Sequence, residues 1–186
     1  MARELLKTPV GEVRWCKLTG PARPNKFDPT KRPTWSCDLL LDGKDKNVRS
    51  WLQSMEDKFQ EVHPDGRPNA YAFPWKEGSG DDDGKVIVKF KLPEFVRKDG
   101  STSEPPTLFD SAKKPWPAGT EIGNGSKMIV GFDIYAWKAP SGVGMSFQPR
   151  AAQVVELVEY VGPKSAEDMF DVVPGGFQVA DDDLPF

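Results

Sequence analysis

The chain is poor in the residues on which most catalytic and metal chemistry is built. It has one histidine and two cysteines in 186 residues. His63, Cys16 and Cys37 cannot supply a four-ligand zinc site of the usual spacing. His63 stands before Pro64, at the end of a predicted helix, where a histidine is ordinarily a surface residue rather than a base. The sequence contains no GxxxxGK followed by Ser or Thr, no GxSxG, no HExxH, and no GxGxxG opening a helix. The carboxylates left for a metal-dependent nuclease would be Asp81, Asp82, Asp83 and Asp110, and no motif surrounds them. The Asp81–Asp83 run lies between Gly80 and Gly84 and reads as a solvated turn. A non-catalytic protein without metal or cofactor is expected. No apolar run approaches the roughly 18 residues of a membrane span. The opening MARELLKTPVGEVRW lacks the apolar core of a secretory signal, so a cytoplasmic location with reduced, buried thiols is expected.

Aromatic residues, by contrast, are plentiful, with eleven Phe and six Trp. Eighteen Pro and seventeen Gly cut the chain into short pieces, which argues for short strands joined by loops. The net charge of −3 is unevenly divided. Residues 163–186 carry six acids and one base, leaving +2 on 1–162, and residues 1–37 alone carry +5. A basic core beside an acidic tail allows the two to attract each other, although scattered surface charge would give similar counts.

Periodicity places the elements. Residues 10–18 read as a strand, followed by the basic, proline-rich loop GPARPNKFDPTKRP. In 34–41 Trp35, Cys37, Leu39 and Leu41 share one face. Residues 45–62 form the one convincing helix, with Val48, Trp51, Leu52, Met55, Phe59 and Val62 in a single apolar stripe. Residues 64–84 look like loop. Residues 85–92 and 126–137 are strands, a short one falls at about 107–110, and 142–150 and 151–160 can complete the sheet. The segment 163–186 is too polar and too punctuated to pack, and disorder is expected there. The fold class is therefore mainly β. A five-stranded OB-fold-like Greek-key barrel with one amphipathic helix is the natural candidate, and strand counting alone leaves a β-sandwich open.

Two features point to single-stranded nucleic acid. Exposed bases stack on aromatic rings, at about 1–3 kcal/mol each, while nearby cations hold the phosphates. Lys26-Phe27, Lys31 and Arg32 with Trp35, and Tyr135-Ala136-Trp137-Lys138 have this mixture. Tyr135 and Trp137, two apart on a strand, share the side opposite the core-facing Val130, Phe132 and Ile134. Trp35 shares its face with Cys37 and Leu39, which gives it an alternative place in the core. The second feature is the end of the chain, Asp181-Asp182-Asp183-Leu184-Pro185-Phe186. Pro185 limits the freedom lost on docking, and a terminal Phe186 can fill a pocket while its carboxylate meets a cation. A solubilising tail would explain the aspartates but not the Phe.

The tail DDDLPF is similar to the tip of bacterial single-stranded-DNA-binding proteins. The core resembles the single-stranded-DNA-binding proteins of T7-type phages, in KFDPTKRPTWSCDLLLDGKD (26–45), VKFK (88–91), LFDSAKK (108–114) and the stretch from Glu121 to Tyr160, with IGNGSKMIV, DIYAWK and GVGMSFQ. The resemblance implies an OB-fold core over 1–162, sequence-tolerant binding of single strands, and roles in replication, recombination, repair and strand annealing. It implies DNA contacts at Arg3, Arg32, Lys91, Tyr135 and Trp137, with Lys89 beside them and Phe27 and Trp35 at matching aromatic positions. It further implies a tail, 163–186, that recruits DNA polymerase and helicase–primase, or host replication and repair proteins, and competes with DNA for the groove. Homodimers, and the host bacterial cytoplasm as location, follow from it as well. The tail is shorter and less acidic than the T7 type and its tip looks bacterial. A protein that only mimics the host tail, without binding DNA, is the rival reading.

Overall fold

The computed structural model describes residues 3–160 and 170–178. Within them lie β1 (Leu6–Lys7), β2 (Gly11–Lys17), β3 (Thr34–Asp42), α1 (Lys46–Val62), β4 (Trp75–Glu77), β5 (Lys85–Pro93), β6 (Thr107–Phe109), β7 (Lys127–Ala139) and β8 (Gly142–Glu156). Five strands run in the order β7-β2-β3-β5-β8, and β8 pairs again with β7, so the sheet closes on itself. All these neighbours are antiparallel except β5 and β8, which meet in parallel at Phe90 and Phe147. Closure rules out the sandwich: this is the expected five-stranded OB barrel, with β1, β4 and β6 as short additions.

Period-two alternation builds the interior. On β5, Val86, Val88, Phe90 and Leu92 are buried while Lys89 and Lys91 are exposed. β3 buries Trp35, Cys37, Leu39 and Leu41, and β7 buries Met128, Val130 and Phe132. Phe90, Phe132 and Phe147 pack as a ring cluster, with the Phe132 and Phe147 centroids 4.5 Å apart. Each such ring stabilises the fold by about 1.5–3 kcal/mol through burial.

The helix closes one end of the barrel. Asp45 caps it, accepting from the backbone N–H of Asn47 and Val48 at 2.7 and 3.1 Å. Val48, Met55 and Phe59 are buried, and Trp51 packs edge-on against Phe132 and Phe147 while its Nε1 donates to the Lys7 carbonyl. Pro64, which has no N–H to donate, ends the helix.

Several expectations need correction. Residues 142–160 do not form two elements: one strand, β8, runs from Gly142 to Glu156. The segment 64–84 is not all loop, for it contains β4 and a 3-10 turn at Gly80–Asp82. His63 is buried, because the end of the helix turns its ring under Phe59, and Nε2 donates to the Gly144 carbonyl at 2.9 Å. Asp82 is not merely solvated. It accepts hydrogen bonds from both terminal guanidinium nitrogens of Arg14 at 2.7 Å, which pins the turn before β5 onto β2 and holds the Asp82 carboxyl below its usual range. Cys16 and Cys37 are free thiols, and burial pushes the Cys16 thiol up to about 11. No helix among the described residues is long and apolar enough to cross a membrane.

Candidate nucleic-acid interface

The same alternation that buries Phe90 turns Lys89 and Lys91 outward. Strand register then aligns outward positions across the barrel wall. Lys89 pairs with Asp38 and Asp38 with Arg14; Lys91 pairs with Ser36 and Ser36 with Lys17. On the other side, Tyr135 pairs with Ser146 and Trp137 with Gly144. Cations and rings thus share the outer surface of the wall formed by β2, β3, β5, β8 and β7.

The cleft in this wall arises because β5 and β8 meet only around Phe90 and Phe147. The segment 67–77 fills the rest of the seam. Asn69 N–H donates to the Val143 carbonyl, Met145 N–H to that of Ala72, and Lys89 N–H to that of Pro74. β4 then pairs with β5 through Trp75 and Val88. The result is a cleft of about 370 Å³ whose lining includes Tyr71, Phe73, Lys76, Lys89, Lys91 and Trp137. Tyr71 is 84% exposed, its ring presented to solvent. Trp137 lies flat on β8 because residue 144 is glycine: a Cβ there would sit 2.1 Å from the indole ring.

Lys76, Lys89 and Lys91 line the cleft, while Arg14 on the same face is paired with Asp82 and lies near Glu12. Asp38 is half-buried among Lys89, Lys76 and Arg14. Burial raises its carboxyl above the ordinary value, and the three cations oppose that rise. Two residues before Tyr135, Asp133 is buried beneath two arginines. Arg150 Nε donates to it at 2.8 Å, and Arg3 lies at 3.5 Å with most of its side chain exposed. Among the described residues no group of His, Cys, Asp and Glu is arranged to hold a metal ion.

The structure brings Lys89, Lys91 and Trp137 to one cleft, with Tyr135 exposed on the same side of β7 and Arg3 next to it. Arg32 stands at the Pro93 end of β5, its guanidinium 4.5 Å above the Phe95 ring. Lys31 is exposed in the same loop, and Phe27 is 98% exposed on a turn whose N–H groups donate to Asn25 Oδ1. Lys138 is exposed near the β7–β8 hairpin, where alternation points it away from Trp137. Trp35, expected among the stacking rings, is the exception. Its ring is buried with Nε1 donating to the Gly20 carbonyl at 3.0 Å, so it has no free face to stack. Tyr71, Phe73 and Lys76 went unread. Their signal is the alternation of rings in AYAFPWK, hidden among prolines and glycines. Asp181–Phe186 lie outside the described residues.

No family model and no curated protein matches the chain. Solved structures do. The fold is that of phage single-stranded-DNA-binding proteins. The single-stranded DNA binding protein gp2.5 encoded by bacteriophage T7 is 20% identical with a TM-score of 0.61, over 96% of this chain and all of that one. The single-stranded DNA-binding protein from bacteriophage Enc34, solved in complex with single-stranded DNA, is 12% identical with a TM-score of 0.64, over 85% of this chain and 89% of that one. Its C-terminally truncated form gives a TM-score of 0.62 at 9% identity. At these identities the likeness establishes the OB architecture.

Proposed function

We propose that this protein is a non-catalytic, sequence-tolerant single-stranded-DNA-binding protein. The observation that carries the reading is the cleft on the outer barrel face, where Trp137 lies beside Lys89 and Lys91 with Tyr135 adjacent. Rings accept the faces of any base, and lysines neutralise phosphates without reading sequence. Likeness in fold to phage proteins that bind single-stranded DNA supports the same assignment.

Residues 1–162 act as the binding core and 163–186 as a tail that competes with DNA for the cationic face. DNA displaces the tail and frees Leu184, Pro185 and Phe186 for replication or repair proteins. Recruitment thereby follows coverage of a strand, in replication, recombination and annealing. Anisotropy titration of labelled oligo(dT) tests the core: binding that weakens with salt is expected, and no binding by the folded protein overturns the reading in favour of tail mimicry. Truncation after Gly162 tests the tail. Tighter DNA binding at low salt and loss of partner capture are expected, and no change in either removes the tail from the mechanism.

A further inference from the structure

A second aromatic site lies on β2, where the register slips. Arg14 pairs with Asp38 and Lys17 with Ser36, so two residues, Trp15 and Cys16, stand opposite the single Cys37. This is a β-bulge, and the extra residue falls out of the in-out alternation. Cys16 packs against the core, whereas Trp15 is thrown outward, 64% exposed, with φ at +52°. A bulky side chain rarely adopts that backbone conformation. The backbone strain is compensated locally, since Trp15 N–H donates to Asn124 Oδ1 at 2.9 Å. That bond needs no indole. A glycine would make the same bend without strain and without an exposed ring, so the side chain calls for its own explanation.

The surroundings of the ring supply one. Trp15, Lys17, Arg23 and Tyr160 line a cleft of about 420 Å³, with Tyr160 58% exposed. Glu121 is also there, 4.0 Å from Arg23 and accepting from the Thr19 hydroxyl, which offsets part of the Arg23 charge while leaving Lys17. The cleft is continuous with the cationic face, because Lys17 pairs with Ser36 and Ser36 with Lys91. Two strand spacings, about 10 Å, separate the β2 and β5 backbones along that row.

We infer that Trp15 and Tyr160 form a second base-stacking site, with Lys17 holding the intervening phosphate, so that a bound strand runs from the Trp137 cleft over Lys91 and Ser36 to the far edge of the barrel. The inference rests on the proposed DNA-binding reading. It commits the edge cleft to nucleic acid rather than to a protein partner, on the grounds of its lysine and its continuity with the lysine rows of β5.

The test is anisotropy titration of full-length protein with a labelled oligo(dT) of about 20 nucleotides, with melting temperature measured alongside. Trp15→Ala is expected to weaken binding about five- to a hundredfold, while Trp15→Phe, which keeps a stacking face, stays within about threefold of the parent. Lys17→Ala is expected to lower the salt slope by about 0.7. If Trp15→Ala proves unstable, Tyr160→Ala and Lys17→Ala decide, since both side chains are exposed. Parent-like binding by folded Trp15→Ala and by Lys17→Ala, with a weakened Tyr135→Ala/Trp137→Ala control, overturns the second site and leaves the proposed function standing. Equal loss in Trp15→Ala and Trp15→Phe overturns stacking as its chemistry. Absence of binding by the parent protein overturns both proposals together.

Discussion

The inside and the outside of the barrel wall use the same kinds of side chain for opposite ends. Phe90, Phe132 and Phe147 meet within the barrel, sealed from water, whereas Tyr71, Tyr135 and Phe27 present their rings to it. On β5 the two regimes alternate residue by residue, with Phe90 turned in and Lys89 and Lys91 turned out. Aromatic content by itself therefore says little. The side of the strand on which a ring falls decides between cohesion and recognition.

Substitutions on the two sides of the wall should separate stability from binding. The largest effect belongs inside. Phe132→Ala is expected to cost about 3–5 kcal/mol of stability in denaturant unfolding. Outside, Tyr135→Ala/Trp137→Ala should leave the melting temperature within a few degrees while reducing affinity for oligo(dT) at least tenfold. Undiminished affinity in that folded double variant would remove both rings from the interface. Next comes Lys89→Ala/Lys91→Ala, which should lower the salt slope of binding by about 1.4, read from titrations at several ionic strengths. Gly144→Ala tests the boundary between the regions. Its Cβ must displace the Trp137 ring, so an affinity loss approaching that of Trp137→Ala is expected with the core intact.

The smallest effect concerns Asp38. Its folded carboxyl is raised by burial, so the neutral acid favours the fold below the ordinary carboxyl range. That contribution is lost as pH rises through the raised value. Asp38→Asn should remove this pH dependence and tighten DNA binding a few-fold at neutral pH by deleting the anion among Lys89, Lys76 and Arg14. A titration showing unchanged affinity across the acid range would mean that phosphates do not pass near it.

Much of the barrel was legible because its strands bury one face only. The period of Val86, Val88 and Phe90 and that of Met128, Val130 and Phe132 located β5 and β7 and, by exclusion, Lys89, Lys91 and Tyr135. The same period placed Trp35 with Cys37 and Leu39, and the structure sides with that pattern over the match to a family aromatic position. What escaped has a physical reason in each case. Residues 67–77 are held by a seam between β5 and β8, which is a property of barrel closure and leaves no period in the local sequence. Trp15 sits where a bulge breaks the period. His63 is buried by the turn after the helix rather than by the helix itself.

The parallel contact at Phe90 and Phe147 has a kinetic consequence. β7 and β8 are joined by a tight hairpin and can pair within microseconds, whereas Phe90 on β5 must find Phe147 on β8 across more than fifty intervening residues, and such distant pairings are slow. The cleft is built at that distant junction. A newly made chain would therefore gain its hold on a polynucleotide only once that distant pairing has formed, and a bound strand, by bridging the junction, would slow its reopening.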